Sequence, residues 1–392
     1  AFFLWSPGSP GMDECNGSEL ALGSRWAPTL APVQWHARCD HALILVRDDV
    51  SRVVRVLILG GVSRGRVMQD VWHSNDAGAT WECSTESAPW PARGGLAAAG
   101  LKSGRALMVG GTGGRGLHRD VWRSDDAAGC TWVHLREGPW LARYGHSLIA
   151  MDIAGTEVLV LLGGVGLRRY FNDVWRSPDG GETWEQAASN TPFAPRAATA
   201  AAATSSGLLL LAGGRGEDTY FADLWLSTDV GSTWSELTWE GISPLPLSGA
   251  ALVPLQNDSF LLLGGFDGNK HLNQVWKVVV SPSRRDICWK SLPDPGWQPR
   301  YCHRAVLLER SVIILTGGYG IADGDFGDTW TSPSLPSLHR EVLRLQLLGR
   351  GIEKKHQISS ETWTGAVLPC LLPDTLIESA KTVSQKVLAV EP

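Results

Sequence analysis

Short apolar runs ending on a glycine pair recur along the chain. Residues 56–59, 106–109, 158–162, 208–212, 260–263 and 312–316 run into Gly60-Gly61, Gly110-Gly111, Gly163-Gly164, Gly213-Gly214, Gly264-Gly265 and Gly317-Gly318. Successive pairs are 50, 53, 50, 51 and 53 residues apart. An unbroken apolar run of this length suits a strand buried on both faces. The glycines mark a place where the chain turns with positive φ or passes close to another backbone.

Three more features keep register with the pairs. Ten residues after the first Gly, or eleven in the last repeat, stand Asp70-Val71-Trp72, Asp120-Val121-Trp122, Asp173-Val174-Trp175, Asp223-Leu224-Trp225, Gln274-Val275-Trp276 and Asp328-Thr329-Trp330. A second tryptophan follows: Trp81, Trp132, Trp184, Trp234 and Trp289. An aromatic residue three before an arginine precedes the next unit, giving Arg38, Arg93, Arg143, Arg196 and Arg300; the fifth repeat lacks this arginine. Each unit reads as four strands, a to d, with b the apolar run, c the Asp-Val-Trp segment and d starting near the second tryptophan. Units of four strands that cannot bury their faces alone stack radially. The expected fold is all-β, a six-bladed β-propeller of four-stranded blades. The sixth unit has no strand d, whereas Trp26 stands 12 residues before Arg38, as Trp81 does before Arg93. An N-terminal strand near Trp26 is therefore expected to complete the last blade. The propeller is assigned residues 22–334, between a flexible segment, 1–21, and a tail, 335–392. Leu338, Val342, Leu345 and Leu348 give part of that tail helical spacing.

The glycine pair, the downstream Asp-Val-Trp and the later tryptophan together resemble the kelch repeat over residues 22–332. Between strands c and d, residues 74–81, 177–184 and 227–234 resemble the S-x-D-x-G-x-T-W Asp-box of sialidase propellers, and residues 124–132 do so with one extra residue. The residues concerned are Asp76, Gly78 and Trp81; Asp126, Gly129 and Trp132; Asp179, Gly181 and Trp184; Asp229, Gly231 and Trp234. Their expected role is a hairpin turn, with the carboxylate accepting backbone N–H bonds of its own loop. One or two carboxylates per box fall short of the 6–8 oxygens calcium takes. The kelch resemblance implies a partner met on the b–c and d–a loop face.

Those loops differ most between repeats. Blades one to three carry Arg64, Arg66, Arg115, Arg119, Arg168 and Arg169, with His118 beside them. Blade four has Arg215 with Glu217 and Asp218, and blades five and six have Asp267, Asp323, Asp325 and Lys270. A face basic on one half would steer an acidic partner to blades one to three. Tyr170, Phe171, Tyr220 and Phe221 are candidate anchors, burial under the loops being the alternative. The repeated arginines, with His41, His146 and His303 three residues on, fall near the channel mouth; recurrence at one repeat position favours a structural role, bonding carbonyls of the adjacent blade.

Composition narrows the function classes. A formal net charge of -5 argues against nucleic acid as a partner, and no apolar run is long enough for a membrane span. Seven cysteines include no CxxC pair, which points to free thiols in a reducing compartment such as the cytoplasm and away from a zinc site. No cofactor or metal is expected. Tyr301-Cys302-His303 has the residue types of a galactose-oxidase copper site, but alternate side chains on a strand point to opposite faces. The expectation is a non-catalytic, monomeric scaffold that binds a protein, with a glycan-binding or glycan-processing propeller, sialidase-like or galactose-oxidase-like, as the alternative.

Overall fold

The structure, a computed structural model, describes residues 26–30, 32–47, 53–244, 247–281, 283–308 and 312–333. All of these lie within the first of the two units, 1–338 and 339–392, into which the chain divides. The segments 1–21 and 335–392, with the helical spacing at Leu338 to Leu348, lie outside the described residues.

Six four-stranded antiparallel sheets form, each in chain order from the inside outwards except the last. Blade one is Ala42–Arg47, Val54–Leu59, Val71–Ser74 and Glu82–Thr85. Blade two is Ala97–Gly100, Ala106–Gly113, Gly116–Ser124 and Trp132–Glu137. Blade three is Ser147–Ile153, Thr156–Leu162, Val174–Ser177 and Glu185–Ala188. Blade four is Ala200–Ala203, Leu209–Ala212, Leu224–Ser227 and Ser235–Glu236. Blade five is Ala251–Pro254, Ser259–Phe266, His271–Val280 and Ile287–Ser291. Blade six takes Arg304–Leu307, Ile313–Thr316 and Thr329–Thr331 from the end of the repeat region and Ala27–Pro28 from its start. Among the described residues there is no helix.

The apolar b strands are buried on both sides because neighbouring blades pack against each. Leu57, Leu59, Ala106, Met108 and Trp132 share one core between blades one and two. Leu107, Val109, Leu159 and Leu161 share the next. The aromatic before each arginine meets the strand-d tryptophan of the blade it introduces, edge to face: Trp35 with Trp81, Trp90 with Trp132 and Trp140 with Trp184. Trp26 occupies the same slot in blade six, 6.3 Å from Trp297 at 79°. It anchors the closing strand, whose Ala27 and Pro28 pair with Thr331 and Trp330.

Closure is continued by two circles of backbone hydrogen bonds. The second glycine of each pair donates its N–H to the carbonyl of the next blade's arginine position, as from Gly61 to Arg93, Gly111 to Arg143 and Gly318 to Arg38, each 2.9 Å. A Cβ at Gly317 would stand 2.5 Å from the Arg38 carbonyl, and Gly317 has a φ of 58°. Close approach and positive φ thus act at the same residue. Nearer the axis, Asp40, Gly95, Gly145, Ala198, Gly249 and Cys302 form a closed ring, each N–H donated to the carbonyl of the preceding member at 2.8–3.1 Å. All six are left-handed, with φ between 52° and 63°.

Removing residues 22–30 takes away the strand that covers Thr329–Thr331 and uncovers a sheet edge. The shortened chain should melt several degrees below the full chain and self-associate more strongly. Thermal melts and light scattering check this, and an unchanged melt with unchanged mass would contradict it.

Candidate partner-binding face

Two sets of arginines separate in the structure. Arg38, Arg93, Arg143, Arg196 and Arg300 have no exposed surface. Each forms a two-pronged ion pair with the aspartate opening strand c of its own blade: Arg38 with Asp70, Arg93 with Asp120, Arg143 with Asp173, Arg196 with Asp223 and Arg300 with Asp328. In blade three, Nη1 and Nη2 of Arg143 reach the two Asp173 oxygens at 2.6 and 2.8 Å, Nη1 also bonds the Gly163 carbonyl, and Nε bonds the Leu141 carbonyl. Asp173 also accepts the indole N–H of Trp175 at 2.9 Å. This explains the Asp-x-Trp spacing, since the ring two residues on returns to the same face of the strand. Burial alone would raise the Asp173 carboxyl pKa, but the hydrogen bonds and charge of Arg143 and the Trp175 N–H bring it below the ordinary value. The expectation of side-chain bonds to an adjacent blade is corrected: the guanidinium holds its own blade, and the arginine's backbone makes the crossing. Nor do these side chains open onto the channel mouth, because they are covered inside the blades.

Rings cover the guanidinium faces. Phe171, Phe221 and Phe326 lie 4.0 Å from the guanidinium carbons of Arg143, Arg196 and Arg300. The anchor reading of Phe171 and Phe221 is corrected accordingly, since each is held against a buried cation. Blade five has Leu247 where the arginine would stand and Gln274 where the aspartate would. Leu247 is buried, and Trp276 donates to the Gln274 carbonyl oxygen at 3.2 Å. Both charges are lost together, because either alone would be a desolvated charge with no counter-ion.

The histidines three residues after Arg38, Arg143 and Arg300 are also buried. His41 contacts the Thr316 hydroxyl at 2.9 Å. Burial, helped by nearby arginines, lowers all three pKa values, that of His146 to about 3. The central cavity, about 180 Å³, is lined chiefly by alanine, glycine and leucine, with Asp40, His146, Ser147, Thr199, Cys302 and Arg304.

On the a–b and c–d side, the four turns that resemble Asp-boxes are closed by their aspartates. Asp179 accepts the Thr183 N–H at 2.8 Å and the Thr183 hydroxyl at 2.5 Å, and the Gly181 N–H donates to the Ser177 hydroxyl. Asp76 and Asp229 repeat this pattern with Thr80 and Thr233, and Asp126 accommodates the extra residue by accepting from Cys130 and Thr131. A Cβ at Gly78, Gly129, Gly181 or Gly231 would press on side chains of the preceding blade, among them Thr329, Val71, Leu107 and Val174. Trp132, Trp184 and Trp234 donate to the carbonyls of these glycines, and Trp81 is buried at the same position.

The opposite side carries the second set. Arg64, Arg66, Arg115, Arg119, Arg168, Arg169 and Arg215 are all exposed. Arg119 pairs with Glu137 at 3.2 Å, and the Arg64 backbone N–H donates to Asp325. Arg169 leans over Phe171 at 5.0 Å, and Tyr170 is half-buried. Tyr220 is 36 % exposed and touches Phe266. Among the described residues, six of seven exposed large hydrophobics lie in b–c or d–a loops: Leu30, Leu141, Leu167, Tyr220, Ile242 and Ile321. Only Tyr220 of these was a sequence candidate; the others are unrepeated apolar residues in loops, a signal hidden by the frequency of apolar residues elsewhere.

Tyr301, Cys302 and His303 enter three environments. Tyr301 joins an aromatic group on the face, Cys302 borders the cavity, and His303 is buried beside Trp297. Among the described residues, no three His, Cys, Asp or Glu side chains gather as a metal site.

These six four-stranded blades, with a glycine pair after strand b in each and Asp-x-Trp after it in five, make the fold a six-bladed β-propeller with a kelch-like repeat. The model of the KLHDC2/KLHL20/DRC7 Kelch-repeats domain matches residues 129–318. Comparison with curated proteins gives no match.

Two outcomes follow. Arg143→Leu alone or Asp173→Gln alone should cost about 3–5 kcal/mol by stranding the other charge. The double variant, which copies blade five, should recover most of that loss in denaturant melts. Separately, a histidine whose folded pKa is depressed binds protons more readily when unfolded, so stability is present above pH 6.5 and is lost as pH falls. The melting temperature should drop steadily from pH 6.5 towards 4.5, above the range in which the paired aspartates titrate. His146→Leu, which copies Leu96 of blade two, should make that slope shallower, with the share of His41 and His303 remaining.

Proposed function

We propose that the protein is a non-catalytic scaffold that holds a protein partner on the b–c and d–a loop face, with the basic half over blades one to three taking an acidic segment. The observation that carries this reading is the exposure of all seven loop arginines on the side that also displays most of the exposed apolar side chains. Arg115, Leu141, Leu167, Arg168 and Arg169 come from consecutive loops of blades two and three, combining charge for steering with apolar surface for contact. Leu167 is 85 % exposed, which has no explanation in the packing of its own blade.

Arg115→Glu/Arg168→Glu/Arg169→Glu leaves the buried arginines untouched, so the variant should fold normally. It should lose capture of the partner that the unaltered protein retains in a pull-down, and the remaining association should weaken further with salt. Undiminished capture would end the basic-face reading. Turnover of a sialoside or galactoside by the purified protein would instead favour the glycan-processing alternative.

A further inference from the structure

We propose that the aromatic patch across blades four to six is a docking surface for an arginine side chain presented by a protein segment, an inference that rests on reading this face as the partner face. Five rings form an unbroken chain there. Tyr220 meets Phe266 at 5.5 Å, and Phe266 meets His271 at 5.2 Å and Tyr301 at 6.0 Å. His271 stacks on Tyr301 at 4.8 Å and 7°, and Tyr319 stands edge-on to both, 6.0 and 5.9 Å away. Tyr220 is exposed and the other four are half-buried. Beside them the Ile321 N–H donates to Nδ1 of His271 at 3.0 Å, and the Ile321 side chain is 80 % exposed.

The repeat does not require these rings. The b–c loops narrow at a backbone-paired neck in every blade: Val62 with Val67, Thr112 with Leu117, Val165 with Tyr170, Arg215 with Tyr220, Phe266 with His271 and Tyr319 with Asp325. Blades one and two close the neck with no aromatic residue. Blades three to six place aromatic rings there; those of blades four to six are in contact, and Tyr301 connects them at the entry to the last inner strand. A continuous, partly wet aromatic patch is a feature of contact surfaces.

Charge selects the occupant. Glu217 and Asp218 are exposed in the loop of Tyr220, and Asp323 is exposed in the loop of Tyr319. Asp267 and Asp325 add two carboxylates, against Arg215 and Lys270. Ring faces attract cations, and a planar, weakly hydrated guanidinium stacks on them better than an ammonium does. The protein uses this pairing three times internally, over Phe171, Phe221 and Phe326.

The test is fluorescence anisotropy with a labelled Gly-Ser-Arg-Gly-Arg-Ser-Gly peptide and a version with citrulline, a neutral isostere, at both arginine positions. The full chain should bind the arginine peptide about tenfold more tightly. Tyr220→Leu/Tyr319→Leu should remove that preference, and Tyr220→Phe/Tyr319→Phe, which keeps the ring faces, should retain it. Equal binding of the two peptides, no saturable binding of the arginine peptide, or an arginine preference that survives the leucine variant would each overturn the proposal. Undiminished capture of the basic-half partner by the Arg115, Arg168 and Arg169 variant bears only on the other half of the face, so the two failures are distinguishable.

Discussion

The structure depends on one buried contact, the arginine–aspartate clamp at the head of five of the six blades. Its side chain joins the end of strand b, through a glycine carbonyl, to the start of strand c, through a carboxylate and a tryptophan. Its backbone carbonyl accepts from the glycine pair of the preceding blade. One residue therefore fixes the root of a b–c loop and ties that root to the neighbouring blade. A charge with no solvent contact is tolerable only when hydrogen-bonded and neutralised by a partner. The aspartate meets that need directly, and the Nε and Nη1 bonds to carbonyls occupy donors that would otherwise go unmet.

Blade five shows how strict the coupling is. Leu247 and Gln274 replace both members, and the neutral Gln274 still receives the Trp276 indole N–H. The structure keeps the hydrogen bond that positions the ring and gives up the charge. That joint loss was visible in the sequence as an absent arginine and an absent aspartate in the same repeat. Recognising it as a contact required knowing that residues about thirty apart face one another across the blade. The repeat period, the b strands and the closing role of Trp26 were legible because each rests on side chains that recur in register. The ring through Asp40, Gly95, Gly145, Ala198, Gly249 and Cys302 was not, because its bonds are all backbone and three of its members are not glycine. Left-handed conformation at Asp40, Ala198 and Cys302 carries a steric cost that the closed ring of hydrogen bonds offsets.

The same division separates what the sequence could say about the site. Arginine occurs in the repeated positions and in the loops, and composition alone cannot distinguish the two. Register does: the repeated set is buried to the last guanidinium atom, and the unrepeated set is exposed. The phenylalanines were harder. Phe171 and Phe221 sit in variable loops and look like anchors, yet each ring covers a buried guanidinium, that of Arg143 or Arg196. Their neighbours Tyr170 and Tyr220 face the other way, as adjacent residues at a paired neck must.

The clamp also explains why the loop face is free to vary. In the five blades that carry the clamp, the b–c loop is pinned at both ends, by the glycine carbonyl and by the strand-c aspartate, so residues between them can change without disturbing the core. The neck just above the clamp is the first position released from the repeat, and it is there that the blades diverge, without rings in blades one and two and aromatic in blades three to six. Loops above a common base differ in charge in the same way, cationic over the first three blades and carboxylate-rich over the last three. A partner held across this face would meet opposite fields at its two ends, which orients it before any close contact forms.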